Sequence, residues 1–359
     1  MVLTGNKGEW GEIYTLFKLL GDKQVYAGDG NLNKIEDLFY PIMKILRQEE
    51  NANYEFKVNP GDIVISGNGK PELRLPVQEF KQQAELLFQK IKSTSGTFSS
   101  PETEAFMNSV YCSRIKAKSV DKTDIKIVIH DLRTGVCPTL GFSIKSKMGS
   151  YSTLINSSGA TNFTYNIEGV ELTKARIEEI NTISTKRKIR DRISKIKNLG
   201  GKLTFAGVDS PIFNNNLVLI DSNMPEIVSE LLLLYFSGEG FRLNYLSGVL
   251  QGRNPIGYNT VHNHKFYEYK IKRLLSDAAL GMKPATMWTG IFEANGGYLV
   301  VKEDGDVLCY HIYNRNEFED YLLNTSFIDT PSSSKHGFGT VEIIAGRPVF
   351  KLNLQIRFI

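Results

Sequence analysis

Cysteine is scarce in this sequence, and long hydrophobic runs are missing from it. The three cysteines, Cys112, Cys137 and Cys309, are widely spaced and match no zinc-binding or redox pattern, so we expect reduced thiols. The longest apolar run, Leu231–Phe236, is far too short to span a bilayer, and the opening residues contain no apolar signal core. These absences predict a cytoplasmic protein without a membrane partner.

A strong excess of charge of one sign is missing too. The chain has 43 Lys and Arg against 39 Asp and Glu, which gives a formal net charge of +4. So mild an excess does not identify a nucleic-acid partner by itself. The chain has 359 residues, 41% of them hydrophobic, so it can bury a large core as one elaborated domain or as two.

The stretch Asp124–Lys147 predicts two antiparallel strands joined by a turn. Two apolar, β-branched runs, Ile125–Ile129 and Leu140–Ile144, flank a break that contains Gly and Pro. If Thr134-Gly135 forms a two-residue turn, the acid at the start of the stretch lies opposite Lys145. A looser loop shifts this register by about one residue.

Asp124, Ser143 and Lys145 follow the order of the PD-(D/E)xK nucleases, which this hairpin resembles. In that arrangement a carboxylate holds a divalent metal, and a lysine lies near the attacking water and the scissile phosphate. The alternative is an edge hairpin whose acid and lysine form a solvated ion pair. Because Ser143 cannot act as a second carboxylate, a metal site here needs an acid from elsewhere.

The first helix offers that acid. Gly5–Leu20, with Asn6 as its cap, has an apolar stripe at helical spacing, and Glu9 and Glu12 fall on or beside the stripe. A Gly-x-x-x-Glu spacing that ends at Glu12 is similar to the first helix of related nucleases such as the archaeal Holliday-junction resolvases, where the glutamate joins the metal site. Glu12 is therefore the first candidate, Glu9 the second and Glu36 a distant third. The alternative is that acids simply favour the first turn of a helix.

Other periodicities predict the rest of the fold. We expect helices at Asn33–Glu50, Pro76–Ser93, Pro101–Cys112 and Glu226–Phe236, and strands at Tyr54–Val58, Asp62–Ser66, Lys202–Val208, Tyr298–Lys302, Val307–Tyr313, Val341–Ile344 and Lys351–Phe358. The predicted fold class is α/β (α+β), with a PD-(D/E)xK restriction-endonuclease-like core of a central mixed sheet flanked by helices, and a C-terminal β-rich recognition region. We place the nuclease core in residues 1–240 and DNA recognition in residues 241–359.

Two segments after the hairpin suit contact with a DNA backbone. Ser150–Asn166 is rich in Ser, Thr, Asn and Gly, which is typical of a loop along a sugar-phosphate chain. Lys174–Lys202 is largely helical and carries ten Lys and Arg. The alternative for both segments is an ordinary solvated surface. The predicted phosphate contacts are Lys186, Arg187, Lys188 and Arg190, together with Lys147 at the end of the hairpin.

From about Arg242 the composition shifts toward Tyr, Asn, His and Gly. Arg and Lys pair with guanine, and Asn and Gln pair with adenine, so such side chains can read base edges. The tripeptide His262-Asn263-His264 is not a metal motif, because an HNH site draws its residues from a hairpin and a helix. The predicted DNA contacts of this region are Arg253, Asn254, His264 and Lys265, with Lys335 in the loop Pro331–Gly339.

Over nearly its whole length the sequence resembles the HpaII family of type II restriction endonucleases. The segments that carry the resemblance are Asn6–Leu20, Asn31–Ile42, Asp124–Gly135, Leu140–Asn156, the SGATNF stretch and the C-terminal FKLNLQIRF. The resemblance implies Mg²⁺-dependent cleavage of double-stranded DNA at a short palindrome in the bacterial cytoplasm. The family's namesake reads CCGG and is blocked by cytosine methylation.

The resemblance also implies double-stranded DNA as the partner and a cognate DNA methyltransferase in the same system. A palindrome is most simply read by two copies related by a two-fold axis. No dimerisation element is evident, so a homodimer and a monomer that nicks twice both stay open. Two other functions stay open as well: a non-catalytic DNA-binding protein with a decayed nuclease fold, for which Ser143 is the evidence, and a junction or mismatch nuclease.

Overall fold

The structure, a computed structural model, describes residues 2–50, 52–116 and 123–359. The chain forms two compact units: unit 1 comprises Met1–Ser152 and Phe292–Tyr321, and unit 2 comprises Thr153–Ile291 and Leu322–Ile359. Each unit is therefore assembled from two separate stretches of chain. These units do not follow the predicted boundary at residue 240, and the assignment of nuclease and recognition roles to residues 1–240 and 241–359 stays a prediction.

The helices of the described residues are α1 (Lys7–Asp22), α2 (Val77–Ser93), α3 (Pro101–Ser109), α4 (Lys174–Asn181), α5 (Lys188–Asn198), α6 (Pro211–Ile220), α7 (Met224–Ser237), α8 (Leu243–Arg253), α9 (Phe266–Leu280), α10 (Arg315–Thr325) and α11 (Ser333–His336). The strands are β1 (Thr4–Asn6), β2 (Gln24–Gly28), β3 (Lys34–Gln48), β4 (Asn53–Val58), β5 (Asp62–Ser66), β6 (Leu73–Pro76), β7 (Thr97–Ser99), β8 (Ile125–Ile129), β9 (Thr139–Ser146), β10 (Thr153–Ile155), β11 (Asn162–Glu168), β12 (Lys202–Val208), β13 (Gly297–Val301), β14 (Val307–His311), β15 (Ser326–Ile328), β16 (Val341–Ile344), β17 (Arg347–Asn353) and β18 (Ile356–Phe358).

Unit 1 is built on one large mixed sheet, which confirms the predicted central mixed sheet. Its strand order among the described residues is β2-β14-β13-β9-β8-β3-β4-β5-β6. β9 runs parallel to β13, and β14 runs parallel to β2, whereas the other neighbours are antiparallel. The helices α1, α2 and α3 meet through Phe17, Phe80 and Phe106, whose rings pack edge to face. This aromatic cluster holds α1 against unit 1's core.

The predicted hairpin is confirmed as β8 and β9, but its predicted register is wrong by two residues. Ile125 pairs with Phe142, and the backbone N–H of Asp124 donates to the carbonyl of Phe142 at 2.9 Å. One step further along this register, Asp124 lies opposite Ser143 and not opposite Lys145. Because a shift of two residues is even, it leaves each side chain on the face where it was expected.

The register differs because the connection is a loop and not a two-residue turn. The backbone N–H of Asp131 donates to Val136, and the Asp131 carboxylate accepts bonds from the Arg133 N–H and the Thr134 hydroxyl, each at 3.0 Å. Gly135, at φ 71°, adopts the left-handed conformation that this loop requires. The carboxylate of Asp131 therefore sets the loop length, and with it the strand pairing.

The helix predicted at Asn33–Glu50 is wrong, since these residues form the 15-residue strand β3. β3 pairs with β2 along its first half and with β4 and β8 along its second half. A bulge between Ile42 and Lys44 breaks the alternation, so the buried positions Ile42 and Ile45 are three residues apart. That spacing imitates a helical stripe, which explains the incorrect prediction.

Unit 2 contains two antiparallel sheets, β12-β11-β17-β16 and β10-β18-β15, together with helices. The predicted strand Lys202–Val208 and the predicted helix Glu226–Phe236 are confirmed as β12 and within α7. The buried Tyr165 of β11 donates through its hydroxyl to the carbonyl of Ser229 at 2.8 Å, which joins the first sheet to α7.

Two expectations for unit 2 need correction. Ser150–Asn166 is not one continuous loop, because it contains β10, a 3₁₀ turn at Gly159–Thr161 and the start of β11. Phe163 in this stretch is fully buried, so apolar burial overrides the polar composition around it. The region after residue 241 is not β-rich at its start, since the helices α8 and α9 come first.

The absences noted in the sequence have structural counterparts. Among the helices of the described residues, none combines the length and the apolar character that a membrane crossing requires. Cys112, Cys137 and Cys309 are free thiols, two of them buried.

Candidate active site

A cleft of about 670 Å³ in unit 1 brings together the predicted catalytic residues. It is lined by Glu9 and Glu12 of α1, by Asp124 just before β8 and by Lys145 of β9. We call it the active-site cleft. Separate elements of the chain therefore place three carboxylates around one opening, together with Lys145 and with the cleft's other lysines, Lys7 and Lys116.

Asp124 is held in place by two hydrogen bonds to the same carboxylate oxygen. Its Oδ2 accepts the backbone N–H of Ile144 at 2.7 Å and the hydroxyl of Ser143 at 3.0 Å. Ser143 is 4% exposed, so the bond from its hydroxyl is shielded from water. The serine at the usual position of a second acid thus positions the first acid, a role that the sequence did not reveal.

The two N-terminal glutamates differ in how their carboxylates are used. Glu9 completes a capping box: its Oε2 accepts the N–H of Asn6 at 2.8 Å, while Asn6 accepts from the N–H of Glu9. The other oxygen of Glu9 forms an ion pair with Lys116 at 3.4 Å. Among the described residues Glu12 has no such partner at hydrogen-bond or ion-pair distance. The predicted cap at Asn6 is confirmed, and of the two acids Glu12 is the one whose carboxylate faces the cleft unengaged.

A glycine lets α1 approach β9 closely. A Cβ added at Gly11 would lie 3.2 Å from the side chain of Ser146 on β9, which is tighter than normal contacts. On the same helix, Trp10 donates its indole N–H to the carbonyl of Phe98 at 3.0 Å. Gly11 and Trp10 together hold the first turns of α1, and so Glu12, against the β8–β9 hairpin.

Burial and the like charge of Asp124 both raise the pKa of Glu12. Burial raises its pKa to about 8, with the charge of Asp124 as the next cause, whereas Lys116 and Arg47 act in the opposite direction. Arg47 of β3 is a buried side chain that the sequence analysis missed, because β3 was taken for a helix. Its guanidinium donates to Glu49 at 2.6 Å and lines, with Glu12 and Asp124, a void of about 10 Å³.

Lys145 has an environment that suits a functional lysine. Burial lowers its pKa, while the charges of Asp124 and Glu12 act to raise it. Its ammonium lies 5.0 Å from the ring centroid of Tyr298, on β13 beside β9. A cation over an aromatic face is attracted to it, so Tyr298 restricts where the ammonium can lie.

The pair Glu12 and Asp124 fits a hard divalent cation. Their mutual repulsion and the burial of Glu12 favour protonation of Glu12, and a cation between them relieves both. Mg²⁺ is commonly held by one or two carboxylates and keeps several waters. Within residues 2–50, 52–116 and 123–359 there is no cluster of three or more His, Cys, Asp or Glu of the kind that forms a complete protein cage.

Two predicted residues lie away from this cleft. Lys147 does not line it, although burial of Lys147 lowers its pKa as well. Glu36 stands on β3 with an exposed side chain and pairs with Lys34 at 3.2 Å. Of the predicted acids, the structure thus brings Glu9 and Glu12 to Asp124, and not Glu36.

The predicted DNA contacts of unit 2 fall into two groups. Lys186, Arg187, Lys188 and Arg190 line a second cleft and pair with no carboxylate of the described residues. By contrast, Arg253 pairs with Glu239 at 2.9 Å, and Lys265 pairs with Glu268 at 3.5 Å.

The other three predicted contacts also differ in how they are held. His264 and Lys335 are exposed. The amide of Asn254 donates to Tyr258 and accepts from the backbone of Tyr258 and the hydroxyl of Tyr267, so it closes a turn at the end of α8.

Comparison with known proteins identifies the family of this chain. The family model described as HpaII restriction endonuclease matches residues 6–358. The chain is 47% identical over 360 residues to the type II restriction enzyme HpaII of Haemophilus parainfluenzae, with 99% of each chain covered. No solved structure matches the chain. A match of this length to both the family and the relative confirms the resemblance read from the sequence, and the chain belongs to the HpaII restriction endonuclease family, whose members are site-specific endonucleases.

Proposed function

We propose that this protein is a Mg²⁺-dependent type II restriction endonuclease with a PD-(D/E)xK active site. Asp124 and Glu12 hold the metal, Lys145 lies at the scissile phosphate, and Ser143 positions Asp124. The observation that carries this proposal is the active-site cleft, where Glu12 of α1, Asp124 just before β8 and Lys145 of β9 converge. Membership in the HpaII restriction endonuclease family supports it independently.

Each residue of the cleft has a definite part in the proposed hydrolysis of a phosphodiester. A bound Mg²⁺ supplies an activated water and neutralises charge on the phosphate. Asp124 and Glu12 orient their oxygens into the cleft, and the bonds from Ser143 and Ile144 fix the direction of Asp124. The ammonium of Lys145 stabilises the negative charge that grows on the phosphate oxygens, and its partial burial strengthens that interaction.

Glu9 is the alternative to Glu12 as the second metal ligand in this proposal. Its carboxylate caps α1 and pairs with Lys116, so it holds the helix that carries Glu12. Ser143 donates a hydrogen bond to Asp124 and so orients this carboxylate. This role for the serine supports a functional nuclease site over a decayed one.

The DNA contacts divide between phosphates and bases. The proposed phosphate contacts are Lys186, Arg187, Lys188 and Arg190, which pair with no acid in the described part of the chain, with Lys147 and Lys335 as additional cations. Arg253, His264 and Lys265 are the proposed base contacts, because exposed ion pairs such as Arg253 with Glu239 exchange partners at little cost. The side chain of Asn254 closes the turn at the end of α8, so it contributes to DNA binding by positioning the neighbouring residues.

The proposal extends to the substrate and the partners. The site is a short palindrome in double-stranded DNA, for which CCGG follows from the family resemblance, read in the cytoplasm by two copies of the chain about a two-fold axis. A cognate DNA methyltransferase protects the same sequence in the host.

Digestion of plasmid DNA tests the proposed function. With Mg²⁺ the protein should cut the plasmid into discrete bands, and sequencing of the fragment ends gives the site and the cut position. The matched control is Lys145→Ala protein prepared in the same way, which should leave the plasmid supercoiled. Intact plasmid with the wild-type protein, or a smear without discrete ends, would contradict the proposal.

A further inference from the structure

The second cleft, in unit 2, has a volume of about 700 Å³ and no acidic residue in its lining. We call it the unit 2 cleft. One wall is the basic segment from Lys186 to Arg190 at the start of α5, and the facing walls are the end of α7 with Phe241 and the serine-rich segment from Thr330 to Ser334. A cleft of this volume is the size of a small-molecule site.

Arg190 of this cleft is held in position without an acidic partner among the described residues. The guanidinium of Arg190 packs on the backbone of Gly238, where an added Cβ would lie 2.3 Å from Arg190 Cζ. Gly238 has φ 88° and ends α7, so Arg190 lies at the negative end of that helix. Asp191, the carboxylate next in sequence, accepts a bond from Thr185 at 2.5 Å. The positive charge therefore faces an opening whose lining has no acidic residue, which suits an anionic ligand.

The cleft also presents an aromatic ring that is unusually exposed. The Phe241 side chain is 50% exposed, yet it is fixed by edge-to-face packing on Phe327 and by a backbone bond from Ile328. Arg242 lies 5.9 Å from the same ring centroid. Large exposed rings that are rigidly held are a common platform for stacking of nucleic-acid bases.

We propose that the unit 2 cleft takes up one unpaired nucleotide of a DNA strand. The base stacks on Phe241, the phosphates lie on Lys188 and Arg190, and the hydroxyls of the serine-rich wall face the sugar-phosphate chain. Cations alone would suit any anion, and a ring alone would suit any flat molecule. A phosphate joined to a planar base is the ligand that uses both. This inference rests on the proposed function, because the strand is that of the DNA to be cut.

Binding of two short single strands to the full-length protein tests the proposal. One is a hexamer of thymidine, and the other is an abasic hexamer with the same phosphates. Both are labelled for fluorescence anisotropy and measured with Ca²⁺ in place of Mg²⁺. The wild type should bind the base-bearing strand roughly 5- to 150-fold more tightly, which corresponds to one stacked base.

Variants assign that preference to the cleft. Phe241→Leu should bind the two strands equally, and Phe241→Trp should keep the preference, which also shows that the position tolerates substitution. Lys188→Gln should weaken the binding of both strands by the same factor. The matched control is Tyr269→Leu, since Tyr269 is 60% exposed on α9 and lies outside the cleft. That variant should behave as the wild type does.

Equal binding of the two strands by the wild type, or a preference that survives in Phe241→Leu, would overturn the proposal. Its failure is separable from failure of the proposed function. If plasmid is cut but the strands bind equally, only the nucleotide site is wrong. If plasmid is not cut, the endonuclease proposal fails, whatever the strands show.

Discussion

The active-site cleft of unit 1 and the unit 2 cleft have almost the same volume but opposite electrostatic designs. The first mixes acids with lysines, and its Asp124 is tied to the backbone of Ile144 and to the buried side chain of Ser143. The lining of the second contains cations, aromatic rings and hydroxyl groups but no acid. Balanced charges in fixed positions suit bond cleavage, whereas unbalanced positive charge suits capture of a polyanion. The proposed cleavage chemistry and the proposed DNA binding thus belong to different clefts, and substitutions in the two clefts should have different effects.

The largest difference is expected for Lys145→Ala. Removal of the ammonium should lower the cleavage rate by at least about 10³-fold, because it stabilises charge that appears in the transition state. Binding to duplex DNA with Ca²⁺ should persist. Lys126→Ala, at an exposed position of the neighbouring strand β8 and outside the cleft, is the control and should keep most of the activity. Normal cutting by Lys145→Ala would remove this residue from the proposed mechanism.

Glu12→Gln should lower cleavage by more than about 100-fold and weaken Mg²⁺ binding, since it removes a proposed ligand. Ser143→Ala removes only a bond to the ligand Asp124, and we expect a loss of about 10-fold. Titration of Mg²⁺ in a single-turnover assay separates affinity from rate. If Glu9→Gln were more harmful than Glu12→Gln, Glu9 and not Glu12 would be the second ligand.

The stability of the metal-free protein should depend on the charge of Glu12. With its pKa at about 8 against an ordinary 4.5, the folded state holds an extra proton between these values. Stability should therefore fall as pH rises from 5 to 8, by about 1 kcal/mol per pH unit. Denaturant unfolding at several pH values measures this decline. Glu12→Gln should flatten it, and saturating Mg²⁺ should reverse it, because the metal binds the ionised form.

Arg253 should affect which sequence is bound. Arg253→Gln should make the free energy of binding to the cognate duplex less favourable by about 1–3 kcal/mol, and should weaken binding to a random duplex much less. Paired binding titrations with Ca²⁺ measure both values. Glu239→Gln frees Arg253 from its ion pair without removing it, so it provides the matched comparison. Equal losses on the two duplexes for Arg253→Gln would move base recognition to other residues.

The smallest effects are expected from single phosphate contacts in unit 2. Arg187→Gln and Lys188→Gln should each weaken cognate and random duplexes alike and reduce the slope of log affinity against log salt by about one. Lys195→Gln is a control for loss of charge on the same helix, since Lys195 already pairs with Glu179 at 2.6 Å. A sequence-dependent loss for Arg187→Gln would assign it to the bases.

Features that depend on neighbours in the chain were predictable from the sequence. The cap at Asn6, the strands β8 and β9 and the order of Asp124, Ser143 and Lys145 all follow from short-range patterns. Their physical cause is local, since caps and alternation need only a few adjacent residues. The role of Ser143 did not follow, because it depends on which atom of Asp124 its hydroxyl meets.

Other features were decided by the tertiary structure alone. A bulge near Ile42, where β3 pairs with β8, gives this strand the spacing of buried residues that is typical of a helix. Arg190 and Arg253 are the same residue type in similar polar segments, yet among the residues that the structure describes Arg253 pairs with an acid and Arg190 does not. Packing of distant segments determines where charges end up, and Coulomb interactions depend on that distance and on local burial. That is why Glu12 and Asp124, far apart in the chain, share one cleft.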